Sequence, residues 1–340
     1  MNVVFSNIYE EITRDNYLFD HDNVTIGDNL LKPWRIFKNL ASKNNINVFT
    51  PDLISWDRVD VFVFLEMPKE DTPLFQYVVN NKKTAILMIM ENGYIWKENF
   101  DISRYKHFRK VFTYNDAHVA QLGCIKLHLA VCIPSELDFS FGLREKLCTT
   151  IAGNKRLDHQ DELYSKRVDI IKWFEREKLN DFDLFGVGWD MPYKQGEIAK
   201  LIRSISPKLL PRPFPSYKGK IERKSQVLRS YSFAICFENL KDLPGYITEK
   251  IFDSFFAGTV PIYWGANNIL DYVPKECFID YRDFSSIDAL YNYIKNMESS
   301  VFIIYQRHIA AYLKSEAVQK FSAEYFSKQL LDGIKSCSVS

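Results

Sequence analysis

No stretch of this 340-residue chain approaches the ~20 consecutive apolar residues that a membrane-spanning helix needs. The opening residues, MNVVFSNIYEE, lack a basic leader and a long apolar core, so they read as a first β-strand rather than a secretory signal. An excess of charge of either sign is also missing. Lys and Arg number 44 against 43 Asp and Glu, a net charge of +1. That balance argues against a broad nucleic-acid surface. The six cysteines, at 124, 132, 148, 236, 277 and 337, form no CxxC pair and have no histidine at zinc spacing. They read as reduced thiols in apolar surroundings. The six histidines are unpaired in spacing, and there are no repeats, low-complexity tracts or heptads.

What remains is an ordinary globular composition, 46% hydrophobic and 26% charged. The length exceeds the ~250–300 residues at which one core stops growing, so two domains are expected. Short apolar runs alternate with helical patterns. Val3–Ser6, Val61–Leu65, Thr84–Met90, Lys110–Tyr114 and Ile125–Cys132 read as strands, and Pro33–Lys43 and Pro73–Asn80 as helices. This is the alternation of a parallel α/β layer. Periodicity fades between Pro134 and Asp161, where the chain is expected to cross domains. Leu163–Lys178 then reads as a helix and Phe182–Phe185 as a strand running into Gly186-Val187-Gly188. A single GxG is weak evidence for phosphate, and a tight turn suffices to explain it. The four prolines of Ile205–Ser216 suggest a rigid loop, followed by a basic stretch, Lys218–Arg229. Three C-terminal helices are expected: one capped by Ser285 or Ser286 and running to Met297, then Val301–Ala311 and Ala317–Leu331.

The densest information lies between Tyr231 and Phe284. An apolar strand, Tyr231–Phe237, ends in Glu238 and Asn239. A polar loop leads to Tyr246-Ile247-Thr248-Glu249-Lys250, which opens a helix closed by Gly258, and Val260–Trp264 is the next strand. In open α/β sheets ligands sit beyond the carboxyl ends of strands, where these polar residues gather. Thr248 can cap the helix, whose positive N-terminus suits a phosphate. Lys250 in the first turn is disfavoured by the helix dipole unless an anion arrives. A capped helix without a ligand explains Glu249 equally well.

The string FEN, YITEK, AGTVPIYWG, DYVP and CFIDYRDF closely resembles the donor-site signature of the α1,3/4-fucosyltransferases, strongly over Lys218–Phe284. The resemblance implies a GT-B α/β fold, two Rossmann-like domains facing a cleft, and an inverting transfer of L-fucose from GDP-fucose to an oligosaccharide or glycoconjugate. The expected acceptor is the 3-hydroxyl of GlcNAc or Glc. Residues 1–150 would form the acceptor domain and 151–310 the GDP-fucose domain. Residues 311–340 would be a helical tail of the kind that crosses back onto the first domain. Eukaryotic members carry a membrane anchor. This chain shows none, so a bacterial-type cytoplasmic enzyme, peripheral at the inner membrane face, or a trimmed form is expected.

The resemblance also implies roles. Lys250 and Arg167 would stabilise the departing diphosphate, with Lys224 and its neighbour Arg223 beside the nucleotide. Glu249 would bind ribose or fucose hydroxyls, Tyr246 would line the donor site, and Glu238 and Asn239 would hold the loop or touch the sugar. Glu91, at the end of Thr84–Met90, would be the general base, with Glu66 at the end of Val61–Leu65 as its rival. Blander alternatives stand beside these. Arg167 and Lys224 could be solvated charges, Tyr246 an aromatic packed under the helix, and a strand-end acid is more often solvated than catalytic. Leu240 departs from the family, which has Ser or Thr after FEN. Asp280-Tyr281-Arg282-Asp283 is not the DxD of metal-dependent transferases, and no metal or other cofactor is expected besides the GDP-fucose substrate. Other readings are a GT-B enzyme using another sugar nucleotide, and a non-catalytic carbohydrate- or nucleotide-binding protein.

Overall fold

The computed structural model describes residues 1–22, 29–137, 139–191 and 213–337, so most of the Ile205–Ser216 loop lies outside the described residues. By contacts the chain divides into two units. The first comprises Met1–Ile133, Pro244–Glu249 and Glu316–Ser340, and the second Pro134–Leu243 and Lys250–Ser315.

The first unit holds a six-stranded sheet of β1 (Asn2–Asn7), β2 (Asn47–Phe49), β3 (Val61–Leu65), β4 (Ala85–Ile89), β5 (Lys110–Thr113) and β6 (Ile125–Lys126). Their order is β2-β1-β3-β4-β5-β6 and every pair is parallel. A parallel sheet needs crossover connections that cover both faces, so its central strands are apolar without alternation. All five residues of β3 and of β4 are buried. Phe5, Val63 and Met88 face one core with Trp34 and Phe37 of the helix Lys32–Ser42. Phe62, Phe64 and Leu87 face the other with Leu74 and Phe75 of Pro73–Asn80. The helix Ala323–Lys335 completes the first core, where Phe326 meets Trp34 edge-on at 5.2 Å.

The second unit repeats the plan with β7 (Lys146–Ile151), β8 (Phe182–Phe185), β9 (Tyr217–Gly219), β10 (Tyr231–Phe237), β11 (Val260–Trp264) and β12 (Ile279–Asp280). The order β12-β11-β10-β7-β8-β9 is again parallel throughout. Counted within the unit, this is the 3-2-1-4-5-6 winding of a doubly wound nucleotide-binding sheet, with its reversal between β7 and β10. The fold is therefore α/β of the GT-B class, with two Rossmann-like units.

Three expectations need adjustment. The strand expected over Ile125–Cys132 stops at Lys126, because the backbone of Val131 bonds instead to Phe321 O and Ala323 N. The helix expected over Ala317–Leu331 is two pieces, Glu316–Gln319 and Ala323–Lys335. Ser322 restarts it by accepting from Tyr325 N at 3.1 Å. A domain border at residue 150 would cut β7, which pairs with β8 and β10 in the second sheet.

Phe326 is 2% exposed. Phe326→Ala should cost about 3–5 kcal/mol and lower the urea midpoint of the first unit. An unchanged midpoint would mean that this helix does not close the core.

Candidate donor site and catalytic carboxylate

Burial on both faces confines polar groups to the ends of β10, and there they gather. Glu238 follows the last strand residue with 0% exposure, and its N–H bonds Trp264 O at 2.8 Å. Such a carboxylate is costly unless compensated. Lys250 Nζ lies 3.2 Å from its Oε2. Arg167, 4% exposed on the helix Tyr164–Glu177, donates to Phe237 O, Glu238 O and Asn239 Oδ1 at 2.6, 2.6 and 3.2 Å. Its guanidinium also lies over the Tyr164 ring at 4.8 Å. Arg167 is thus a buried fork holding the carbonyl end of β10, not a solvated helix charge. Asn239 accepts from Arg167, and its own carbonyl accepts from Leu163 N at 3.0 Å.

Lys224 pairs with Asp253 at 2.7 Å. Asp253 lies three residues beyond Lys250 on the helix Glu249–Phe256, so both share one face. Sequence reading passed over Asp253, although that spacing was visible. Arg167, Lys224 and Lys250 line one cavity with Thr150 and Ile151 of β7, the following Ala152, and Ala234–Phe237 of β10. It sits at the reversal of strand order, where such sheets bind nucleotides. Three cations around it suit an anion. Arg223 immediately precedes the short helix Lys224–Leu228.

In the first unit, Glu91 follows β4. Its Oε1 accepts from Tyr246 Oη at 3.3 Å and Asn92 N at 3.3 Å. Tyr246 is 2% exposed and tilts against Tyr114 at 4.9 Å. It is a packed aromatic whose hydroxyl meets the proposed base. The segment carrying Tyr246 is anchored beyond β5, where Asp116 N donates to Pro244 O at 3.2 Å. Gly245 makes this possible. Its φ is +78°, and a Cβ would stand 2.4 Å from both Tyr114 O and Lys126 Nζ. Glu249 begins the helix directly after Thr248.

Glu66, the rival base, is 6% exposed, with φ at +73°. That backbone costs a side-chain-bearing residue about 1–3 kcal/mol and marks a constrained position. Its carboxyl accepts from Glu91 N at 3.0 Å, Met90 N at 3.2 Å and Asn99 Nδ2 at 2.7 Å. Burial pushes it up to about 8, aided by the charge of Glu91 and opposed by these donors. It is a buried bracket beneath the β4 turn rather than an open base.

Asp280 is gripped by Arg282 at 2.6 Å, and Lys275 meets Asp283 at 2.5 Å. Among the described residues no three His, Cys, Asp or Glu side chains gather as a metal site. Nor is any helix there long and apolar enough to cross a membrane. The GxG turn is a packing device. A Cβ on Gly186 would lie 1.9 Å from Ala152 O, and Trp189 Nε1 donates to that oxygen at 2.6 Å.

Residues 193–332 match the family model for the glycosyltransferase family 10 (fucosyltransferase) C-terminal region. This part of the chain is similar to family 10. An α-(1,3)-fucosyltransferase of Helicobacter pylori is 40% identical over 80 residues, 23% of this chain and 16% of that enzyme. An α-(1,4)-fucosyltransferase of Arabidopsis thaliana is 40% identical over 67 residues, 20% of this chain and 16% of its own length. The mouse 4-galactosyl-N-acetylglucosaminide 3-α-L-fucosyltransferase 9 is 39% identical over 72 residues, 20% of this chain and 19% of its own. The matched stretches thus span less than a fifth of these relatives. A crystal structure of an α1,3-fucosyltransferase shares the fold over 100% of this chain and 90% of its own, at TM-score 0.59 and 14% identity. An α-glucosyltransferase in complex with UDP-glucose and DNA shares it over 98% and 99%, at 0.57 and 10%. The family 10 segment contains Lys224, Glu238, Asn239, Tyr246, Glu249 and Lys250, whereas Glu91 and Arg167 lie before it.

The pH dependence of Glu66 is testable. Its folded value lies above the unfolded one, so its contribution to stability is full below the usual carboxyl range and is lost as pH rises through about 8. Between pH 5 and 8 the wild type should lose stability relative to Glu66→Gln by on the order of 1 kcal/mol or more. Parallel urea midpoints across that range would contradict the burial argument.

Proposed function

We propose that the protein is an inverting fucosyltransferase that moves L-fucose from GDP-fucose to the 3-hydroxyl of a GlcNAc or Glc unit. The observation that carries the reading is the Arg167, Lys224 and Lys250 cluster at the β7/β10 reversal, two of whose members lie in the fucosyltransferase-matching segment. The acceptor oxygen attacks the anomeric carbon of fucose while its proton passes to Glu91. The bond from that carbon to the diphosphate breaks with its electron pair, and GDP leaves carrying the added negative charge. Fixed cations meet that charge without reorganisation, which is where electrostatic catalysis gains most. Glu249, Glu238, Asn239 and Tyr246 complete the proposed donor and base surroundings.

The fold alone does not choose the nucleotide, since a structural neighbour binds UDP-glucose. Fucose is favoured by the family 10 segment, and a further fold neighbour is an α1,3-fucosyltransferase with GDP-fucose. The 3-linkage to N-acetylglucosamine follows the activity for which the mouse relative is named, and the Arabidopsis α-(1,4)-fucosyltransferase makes the 1,4 linkage the rival. The same reading carries the cytoplasm, or the inner face of the membrane, as its setting.

A glycan array with GDP-fucose followed by linkage analysis tests the assignment, with UDP-glucose as the competing donor. Lys250→Ala should lose turnover on the order of 10²–10³ and weaken GDP binding. Glu91→Gln should keep GDP-fucose affinity and lose 10²–10⁴ in rate, roughly the worth of a general base. Normal transfer by either folded variant would remove that residue from its role. Transfer should persist in EDTA; loss restored by a divalent ion would show that the diphosphate is neutralised by metal.

A further inference from the structure

The peptide of Glu91 is held at both ends by buried side chains. Its N–H donates to Glu66 Oε1 at 3.0 Å, and its carbonyl accepts from Asn99 Nδ2 at 3.1 Å. The two holders are joined, with Asn99 Nδ2 donating to Glu66 Oε2 at 2.7 Å. Asn99 Oδ1 accepts from Met67 N at 2.9 Å, so its amide is engaged at both atoms. Asn99 and Glu66 are 3% and 6% exposed. The next peptide inward is held too, since Met90 N reaches both Glu66 oxygens at 3.2 and 3.3 Å.

By contrast, the bonds from Asn92 and Tyr246 to the Glu91 carboxylate are longer, 3.3–3.5 Å. The turn is therefore fixed more tightly at its backbone than by these contacts at the side-chain tip. The positive φ of Glu66 belongs to the same device, because it accompanies the turn of this side chain beneath the neighbouring strand end. A hydrophobic residue there would leave the N–H groups of Met90 and Glu91 without these acceptors.

We propose that Glu66 and Asn99 are positioning residues for fucosyl transfer, a buried clamp that fixes the Glu91 peptide and so aims its carboxylate. This rests on the reading of Glu91 as the base. The clamp touches no substrate; it acts through the direction in which the Glu91 side chain leaves the backbone. A displacement of ~1 Å at a reacting group can cost on the order of 10²-fold in rate. In Glu66→Gln one oxygen remains for the N–H groups, but the new amide NH₂ faces the NH₂ of Asn99. Turning the Asn99 amide to accept from it gives up both the bond to Glu91 O and the bond from Met67 N.

Turnover, KM and GDP-fucose affinity of Glu66→Gln, Glu91→Gln and the double variant provide the test, with circular dichroism as the check on folding. Glu66→Gln should lower kcat about 10- to 100-fold with donor affinity changed less than about twofold. Added to Glu91→Gln, it should produce no further loss, because a clamp that works only through the base has nothing left to aim. Full activity of Glu66→Gln, or losses that multiply in the double variant, would overturn the proposal. Should Glu66→Gln fail to fold, Asn99→Ser, which frees Glu91 O, carries the same comparison. If Glu91→Gln alone transfers fucose normally, the base assignment fails first and the clamp falls with it. Normal Glu66→Gln beside a dead Glu91→Gln rejects the clamp and leaves the base intact.

Discussion

A carboxylate is costly inside a parallel strand covered on both faces, and the carboxylates of the candidate site stand beyond the ends of such strands. β3 and β4 are apolar throughout and β10 is so but for Ser232, and each is followed at once by a glutamate or, for β4, by Met90 and then one. Glu66, Glu91 and Glu238 therefore occupy equivalent places in their sheets. Equivalent places did not produce equivalent groups. Glu238 is compensated by the ammonium of Lys250, Glu66 by amide N–H groups, and Glu91 by longer bonds at a half-buried turn. The environment at each strand end, rather than the residue type, separates a cation holder, a bracket and a candidate base.

The same limit explains the cations. An arginine buried to 4% exposure needs acceptors, and the carbonyls of Phe237 and Glu238 at the end of β10 supply them. Lys224 and Lys250 keep about a fifth of their side chains exposed and each holds a carboxylate, Asp253 and Glu238. Ion pairs of this kind store positive charge beside a cavity without leaving it uncompensated before an anion arrives.

Much of this was legible in the sequence, for the same reason. β3, β8, β10 and β11 have the expected boundaries, because their runs are apolar save for Asp183 in β8 and Ser232 in β10. β7, KLCTTI, was missed because its threonines and lysine dilute that signal; Thr149 and Thr150 are nonetheless buried, with their hydroxyls on Asp183 O and Ile235 O. The candidate donor-side residues from Glu238 to Lys250 fall in one ordered motif, whereas Arg167 lies before it. Asn99 was not legible. It lies in a short 3₁₀ turn of KENF, without periodicity, and its role appears only when Met67, Glu66 and Glu91 are brought together in space. The place of Glu66 at a strand end was visible, but not its burial, which depends on what the turn folds over.

The helix Ala323–Lys335 has a consequence for the order of events during synthesis. It packs Phe326, Leu330 and Ile334 into the core begun by Val3 and Phe5, and Lys335 reaches Asn44 at 2.7 Å. All of the second unit is encoded between these partners. A nascent chain must therefore expose the apolar underside of its first sheet while the whole second sheet is being made. Closing that long loop is slow for entropic reasons, and the surface left open meanwhile is a natural substrate for chaperones.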